Sequence, residues 1–238
     1  MKDLSSAPPI LKPSERPALF VADSLDDWVK NEGLGHKGLL AKRPFSGAWD
    51  KFDRDIEASY SHIGEDRKLN ARVAVNERLR ENLLATTDKL LDAARLPKSL
   101  CEQMRSDACS LGCTVSKLCP SIRALDVKIE IFGEHTCSRW HQDHFVGRAL
   151  VSYTGAIGTE YTRDSNVDFW ELKHCGNNDH IIRDVGEIES VDVGDFLFIM
   201  GSKFHKGTGG LIHKSPEKRY HKDGRIVNRL VLKVDIPS

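Results

Sequence analysis

The stretch Leu125-Asp126-Val127-Lys128-Ile129-Glu130-Ile131 decides how this chain is read. Its apolar residues fall on every second position, so an extended backbone carries them on one face and the charges on the other, as in a half-buried β-strand. Before Pro120 the spacing is different. Leu100, Met104, Ala108, Leu111, Val115 and Leu118 recur every three or four residues, and within Val73 to Leu96 so do Leu79, Leu83, Leu84, Leu90, Leu91 and Ala94. Both runs predict helices, closed by Pro120 and Pro97. After the quoted stretch, Arg148 to Tyr153, Asp195 to Met200 and Arg225 to Ile236 read as strands between glycine-containing or polar loops. Helices followed by strands predict an α+β chain, mainly β, with the helices covering one face of a sheet or barrel.

Further out the signal weakens. Pro8, Pro9, Pro13 and Pro17 disfavour regular structure, so residues 1–17 are expected to be a flexible leader. Leu19 to His62 mixes Trp28, Phe45, Trp49 and Phe52 with charges and glycines and is expected to form short helices and loops. The expected organisation is a leader over 1–17, a core over 121–238 and, packed on that core, a helical portion over 18–120.

Thirty-five Lys and Arg balance thirty-five Asp and Glu, so the net charge does not demand a nucleic acid or an anionic membrane as partner. Six cysteines are too sparse for a disulfide scaffold, and the first residues lack the apolar run of a secretory signal. A cytoplasmic protein is expected, an organelle being the alternative, with neither secretion nor a membrane partner.

The chemistry concentrates in Cys137-Ser138-Arg139-Trp140-His141-Gln142-Asp143-His144. Residues two apart on a strand share a face, so His141 and Asp143 can offer an imidazole nitrogen and a carboxylate oxygen to one metal ion. These are two of the three ligands of the facial triad of non-haem Fe(II) oxygenases. A second His-x-Asp, His221-Lys222-Asp223, precedes Gly224 and is better explained as a turn. A third ligand should come after the strand Asp195 to Met200, where both His205 and His213 stand. Spacing from the Gly194-Asp195 turn favours His205, by analogy with jelly-roll oxygenases.

The chain resembles the family known as domain of unknown function 1826, over roughly Leu118 to Ile236. The resemblance is carried by Cys137 to Asp143, Arg148, Gly155-Ala156-Ile157-Gly158-Thr159-Glu160-Tyr161, His213-Lys214-Ser215-Pro216 and Arg229 to Asp235. The family pattern reads C-P-x-F-H-x-D, G-P-G-T-E-W, H-R-S-P and R-L-L-L-T-L-D. Here Ser138, Tyr161 and Lys214 replace its Pro, Trp and Arg. Since His205 has no counterpart in that pattern, the resemblance implies His213 as the third ligand, with His205 the alternative. It also implies a metal-binding double-stranded β-helix, a cupin-like jelly roll, and the apolar stripes of the N-terminal helices place them on its outer sheet.

The leading expectation is an Fe(II), 2-oxoglutarate-dependent oxygenase. Arg229 would bind the distal carboxylate of the cosubstrate through its planar fork, and Arg148 is the fallback. The competing expectations are a non-catalytic Zn(II)-binding or metal-homeostasis protein and a metal-dependent hydrolase. Arg229 has a plainer reading as well, a structural salt bridge to Asp235 or Asp192. Glu160 could add a ligand or an acid-base group, or be a strand-end carboxylate without a role. Cys137 is read as packing. Cys109 and Cys113, near Cys101 and Cys119, lack the compact spacing of a zinc site. Gly33-Leu34-Gly35-His36-Lys37-Gly38 follows no strand and opens no helix, so it is not read as a dinucleotide loop. Lys203, Lys206, Lys214, Lys218, Arg219, Lys222 and Arg225 could draw a small or anionic substrate to the site or form a solvated loop; nucleic acid is the less favoured partner.

Overall fold

In a computed structural model, residues 17–30, 35–44, 59–60, 63, 69–134, 136, 138–174, 176–204 and 209–237 are described. Residues 1–16 of the expected leader, Phe45, Trp49 and Phe52, Cys137, His205 and Lys206 lie outside them.

The alternation at Leu125 to Ile131 becomes β4 (Ala124–Phe132), a strand inside a seven-stranded sheet. The other members are β1 (Leu19–Ala22), β2 (Gly38–Ala41), β3 (Leu69–Ala74), β5 (Gly147–Ser152), β8 (Phe196–Met200) and β10 (Arg229–Asp235), in the order β1-β2-β8-β5-β10-β4-β3. Only β1 and β2 run parallel. A second sheet has the order β7-β6-β9, from β7 (Glu189–Ser190), β6 (Glu160–Thr162) and β9 (Ile212–Lys214). The fold is thus mixed α/β with a large sheet.

The two long apolar repeats are helices α2 (Leu79–Ala94) and α3 (Lys98–Leu118). Arg95 ends α2 in the left-handed conformation, its N–H bonded to Leu91, and Pro97 opens α3, where a missing N–H costs nothing. Leu83 packs so tightly on α3 that a β-carbon at Gly112 would lie 2.6 Å from its Cδ1. The apolar faces of both helices share one core with Leu125, Val127, Ile129 and Ile131 of β4 and Leu230, Leu232 and Val234 of β10. Each such side chain stabilises the fold by about 1.5–3 kcal/mol. The opposite face of the sheet supplies Leu150, Val231, Leu197 and Ile199, which pack with Tyr161 and Leu211 from the region of the second sheet.

One polar cluster crosses the helix side. Asp107 of α3 accepts both terminal nitrogens of Arg43 at 2.8 Å, the Tyr153 hydroxyl at 2.6 Å and Gln103 at 2.7 Å. It joins the segment after β2, helix α3 and the end of β5.

The structure departs from the sequence reading in three regions. The region read as short helices and loops contributes strands β1 and β2 around helix α1 (Leu25–Lys30). Val73, placed in the first helical run, belongs to β3, which pairs with β4 before α2 begins. The strand-only region also holds two short helices, α4 (Phe169–Lys173) and α5 (Asn178–Ile181). Asp168 and Asn177 cap them by accepting backbone N–H groups, which four- and five-residue helices need. Gly38 opens β2, and His221 to Gly224 forms the expected turn.

Candidate metal centre

His141 lies opposite His213 of β9 in an isolated antiparallel bridge. The two exchange both backbone hydrogen bonds, His141 N–H to His213 at 3.0 Å and His213 N–H to His141 at 3.1 Å. Directly opposed residues send side chains to one face, and the imidazole centroids stand 4.4 Å apart. Asp143, two residues on, shares that face: its Oδ1 is 3.6 Å from His141 Nε2 and its Oδ2 3.5 Å from His213 Nε2. Ligand atoms of all three residues lie within 4.8 Å of one another. The structure thus brings together the three residues singled out in the sequence.

The surroundings hold the group in place. Asn178, at the start of α5, accepts from the Trp140 N–H and donates to the Ser138 carbonyl. Gln142 donates to Gly210 at 2.7 Å. The Asp143 carbonyl accepts from Ser202 N–H at 2.8 Å, and Gly201 N–H bonds Val146. A β-carbon at Gly201 would lie 1.9 Å from the Phe145 carbonyl oxygen, so only glycine fits there.

Each histidine directs Nδ1 to a carbonyl oxygen, His141 to Arg139 at 2.8 Å and His213 to Leu211 at 3.0 Å. With Nδ1–H donating, Nε2 carries the lone pair that faces Asp143. Burial pushes His213 down to about 4, so its ring is neutral at physiological pH, as a ligand must be. The His213 side chain is 6% exposed and that of His141 42%, so the centre opens on the His141 side.

Arg148, in β5, is committed to two carboxylates. It donates to Asp143 at 3.3 Å and forks onto Asp235 at 2.6 and 3.2 Å. Burial opposes its charge, and the carboxylates of Asp235 and Asp143 outweigh that and raise its pKa. Arg229, at the start of β10, pairs with neither Asp235 nor Asp192. It is 8% exposed, donates to the Gly158 carbonyl at 3.2 Å and lies over the Phe132 ring. Desolvation lowers its pKa to about 10, with Glu160 opposing. Arg229 lines an open pocket with Phe132, Thr136, Ile157, Lys218 and Arg219; none of the three clustered residues lines it.

Glu160 stands outside the cluster and pairs with Lys214 at 2.9 Å. Lys214 is buried, bonds Glu217 at 2.6 Å and sits over the Trp140 ring, so it is not a free cation of a basic patch. Lys218 lies 3.7 Å from Glu134, and Arg225 pairs with Asp223. Cys101, Cys109, Cys113 and Cys119 are free thiols. The sequence reading missed Asp235 as the partner of Arg148 and Asn178 as the clasp on the His141 segment; of these, only Asn178 left a local signal, as the residue after a cap.

Two imidazoles and a carboxylate within reach of one ion define a candidate metal-binding protein on a mixed α/β fold. The chain belongs to the family described as Protein of unknown function (DUF1826), whose model matches residues 49–235, further toward the N-terminus than the motifs alone suggested. No curated protein matches it in sequence. Among solved structures it is similar to the dioxygenase for auxin oxidation 1 of Arabidopsis thaliana in its 2-oxoglutarate complex, with 10% identity, 92% of each chain covered and a TM-score of 0.49. It is similar also to the rice dioxygenase for auxin oxidation (10% identity, 85% of this chain and 74% of that one, TM-score 0.45). A third is a full-length Neurospora crassa protein solved in complex with α-ketoglutarate (8% identity, 92% and 83%, TM-score 0.42). Among the described residues, no helix is long and apolar enough to cross a membrane.

Proposed function

We propose that the chain is a non-haem Fe(II) oxygenase using 2-oxoglutarate, with His141, Asp143 and His213 as metal ligands. The observation that carries this reading is the convergence of two imidazoles and one carboxylate within 4.8 Å, each imidazole Nδ1 held against a carbonyl oxygen and one side exposed. Two nitrogens and one oxygen suit Fe(II) and leave positions free for a cosubstrate and oxygen. The metal and 2-oxoglutarate would supply the oxidising chemistry. The chain's own part is to hold the ion, orient the ligands and limit access of water.

Arg229 is the proposed anchor for the distal carboxylate of 2-oxoglutarate. Among the described residues its buried guanidinium makes a single hydrogen bond and no ion pair, so donors remain for an anion. Arg148 suits the task less, because Asp143 and Asp235 already occupy it. In this reading the row β8-β5-β10-β4 and the row β7-β6-β9, extended by the His141 segment, are the two halves of a double-stranded β-helix. Residues 121–238 form that core, and α2 and α3 of the 18–120 portion cover its outer face. The substrate is a small or anionic molecule, and the setting is a reducing cytoplasm.

Zinc binding without catalysis is the competing reading, since the same donors suit Zn(II). A structural zinc takes four protein ligands, whereas three converge among the described residues. Anaerobic addition of Fe(II) and then 2-oxoglutarate separates the two. The oxygenase should develop the weak visible charge-transfer band of a chelated cosubstrate, and His213→Ala should not. Tightly retained Zn(II) with no such band would favour the binder.

A further inference from the structure

The carboxylate proposed as a ligand stands at the end of a line of charges drawn from three adjacent strands. Lys128 of β4 donates to Asp235 Oδ2 at 2.6 Å. Asp235 of β10 lies in register with Arg148 of β5 and accepts from its Nε at 2.6 Å and its Nη2 at 3.2 Å. The remaining nitrogen, Nη1, reaches Asp143 Oδ2 at 3.3 Å. Phe145 closes the guanidinium face, its ring centroid 4.4 Å from Cζ. Burial raises the Asp235 pKa, but the hydrogen bonds from Arg148 and Lys128 and the charges of Arg148 and Lys233 outweigh it, so the carboxyl sits below its ordinary range.

Buried ion pairs of this kind add little to stability over an apolar pair of the same size, so their placement calls for another account. The Asp143 carboxylate is short and rotatable, and a metal could take it through one oxygen or both. Both oxygens face the histidines, Oδ2 at 3.5 Å from His213 Nε2 and Oδ1 at 3.6 Å from His141 Nε2, but Oδ2 is also engaged by Arg148, which leaves Oδ1 the oxygen with no arginine partner among the described residues. We infer that Arg148, clamped by Asp235, is a positioning residue that fixes Asp143 for coordination through a single oxygen. This rests on the metal-centre reading above. It assigns to the strand pair β5–β10 the task of keeping one coordination position from being filled by the protein itself. Asp235 acts only through Arg148, because both its oxygens are spent on Arg148 and Lys128.

Co(II) titration of the full chain, followed by its d–d absorption, tests this in the parent, Asp143→Ala, Arg148→Met, Arg148→Lys, Asp235→Asn and the Arg148→Met/Asp235→Asn double variant. The parent should bind one Co(II), and Asp143→Ala should abolish binding. Arg148→Met should weaken binding by about 10–100-fold, the usual effect of losing a residue that orients a metal ligand, and should alter the spectrum. Asp235→Asn, the milder change should the methionine variant fold poorly, should shift affinity and spectrum the same way by less, and Arg148→Lys should fall between parent and methionine variant. The double variant should match Arg148→Met alone. Affinity and spectrum unchanged in both Arg148→Met and Asp235→Asn would overturn the positioning role while leaving the metal centre intact. Additive losses in the double variant would remove Asp235 from the line. A parent that binds no Co(II) would sink the metal centre and this inference together.

Discussion

His141 and His213 are joined by their backbones before any ion joins their side chains, each donating its N–H to the other's carbonyl oxygen at 3.0 and 3.1 Å. A centre assembled by strand pairing should bind metal as a folded unit and be stabilised by it. At a free Co(II) or Fe(II) concentration of about 100 times Kd, the unfolding free energy should rise by about 2.7 kcal/mol. Denaturant melts with and without the ion should show that gain in the parent and none in His213→Ala or Asp143→Ala.

Arg229 presents the reverse case, a residue expected to serve binding at the expense of stability. Its guanidinium is buried with one hydrogen bond among the described residues, so Arg229→Met should melt at the parent's temperature or above it. The same change should weaken 2-oxoglutarate binding by about 10–100-fold, from the loss of about 1.5–3 kcal/mol of charge-assisted hydrogen bonding. Calorimetric titration with the metal-loaded protein reads the second effect; unchanged affinity would remove Arg229 from the site.

Gly155 supports that arginine. Its φ is +103°, a region side chains rarely occupy, and a β-carbon there would meet Arg229 Cγ and Cδ at 2.8 Å. Gly155→Ala should therefore cost about 1–3 kcal/mol and, by displacing Arg229, weaken 2-oxoglutarate binding in the same titration.

Asp107 gathers Arg43, Gln103 and Tyr153 on the helix side of the sheet. Asp107→Ala strands the Arg43 charge and should lower stability by about 3–5 kcal/mol. Tyr153→Phe removes one hydrogen bond to a charged group and should cost about 1.5 kcal/mol. Neither should alter metal affinity in the folded protein.

Cys119 has its pKa pushed from 9.0 up to about 11 by burial. At about pH 8 its thiolate population is then about a hundredfold below that of an unperturbed cysteine, and alkylation should be slower in proportion. Because the folded state resists losing this proton more than the unfolded chain does, the contribution of Cys119 to stability holds below about pH 8.5 and falls as the pH rises toward about 11. Mass-resolved labelling in native buffer and in denaturant should separate the two states.

The sequence read most clearly where one residue's neighbours in the chain determine its environment. Leu125 to Ile131 alternate because β4 has helices on one face, and His141 and Asp143 share a side because they are two apart. What escaped reading depends on partners far along the chain. Gly38 to Ala41 are four buried residues without alternation, a strand only because β1 and β8 flank them. In β3 only Val73 is buried, too faint a pattern to separate from the helix beginning six residues later. The choice between His205 and His213 rested on resemblance, because nothing local to His213 reveals that His141 lies across from it. The partner of Arg148 was hidden likewise: Asp235 shares a face with Arg229 by alternation, but the register of β10 against β5 places it beside Arg148.

That register has a further consequence for how the molecule comes into being. β10 is the last strand of the large sheet to be synthesised, yet it occupies a middle position, between β4 and β5. Until it emerges, both neighbours have open edges and Arg148 has no Asp235 to clamp it. Nascent chains stopping short of Arg229 should stay sticky and partly formed, protected by chaperones or lost to clumping, and the ion's cradle should close only once β10 has emerged.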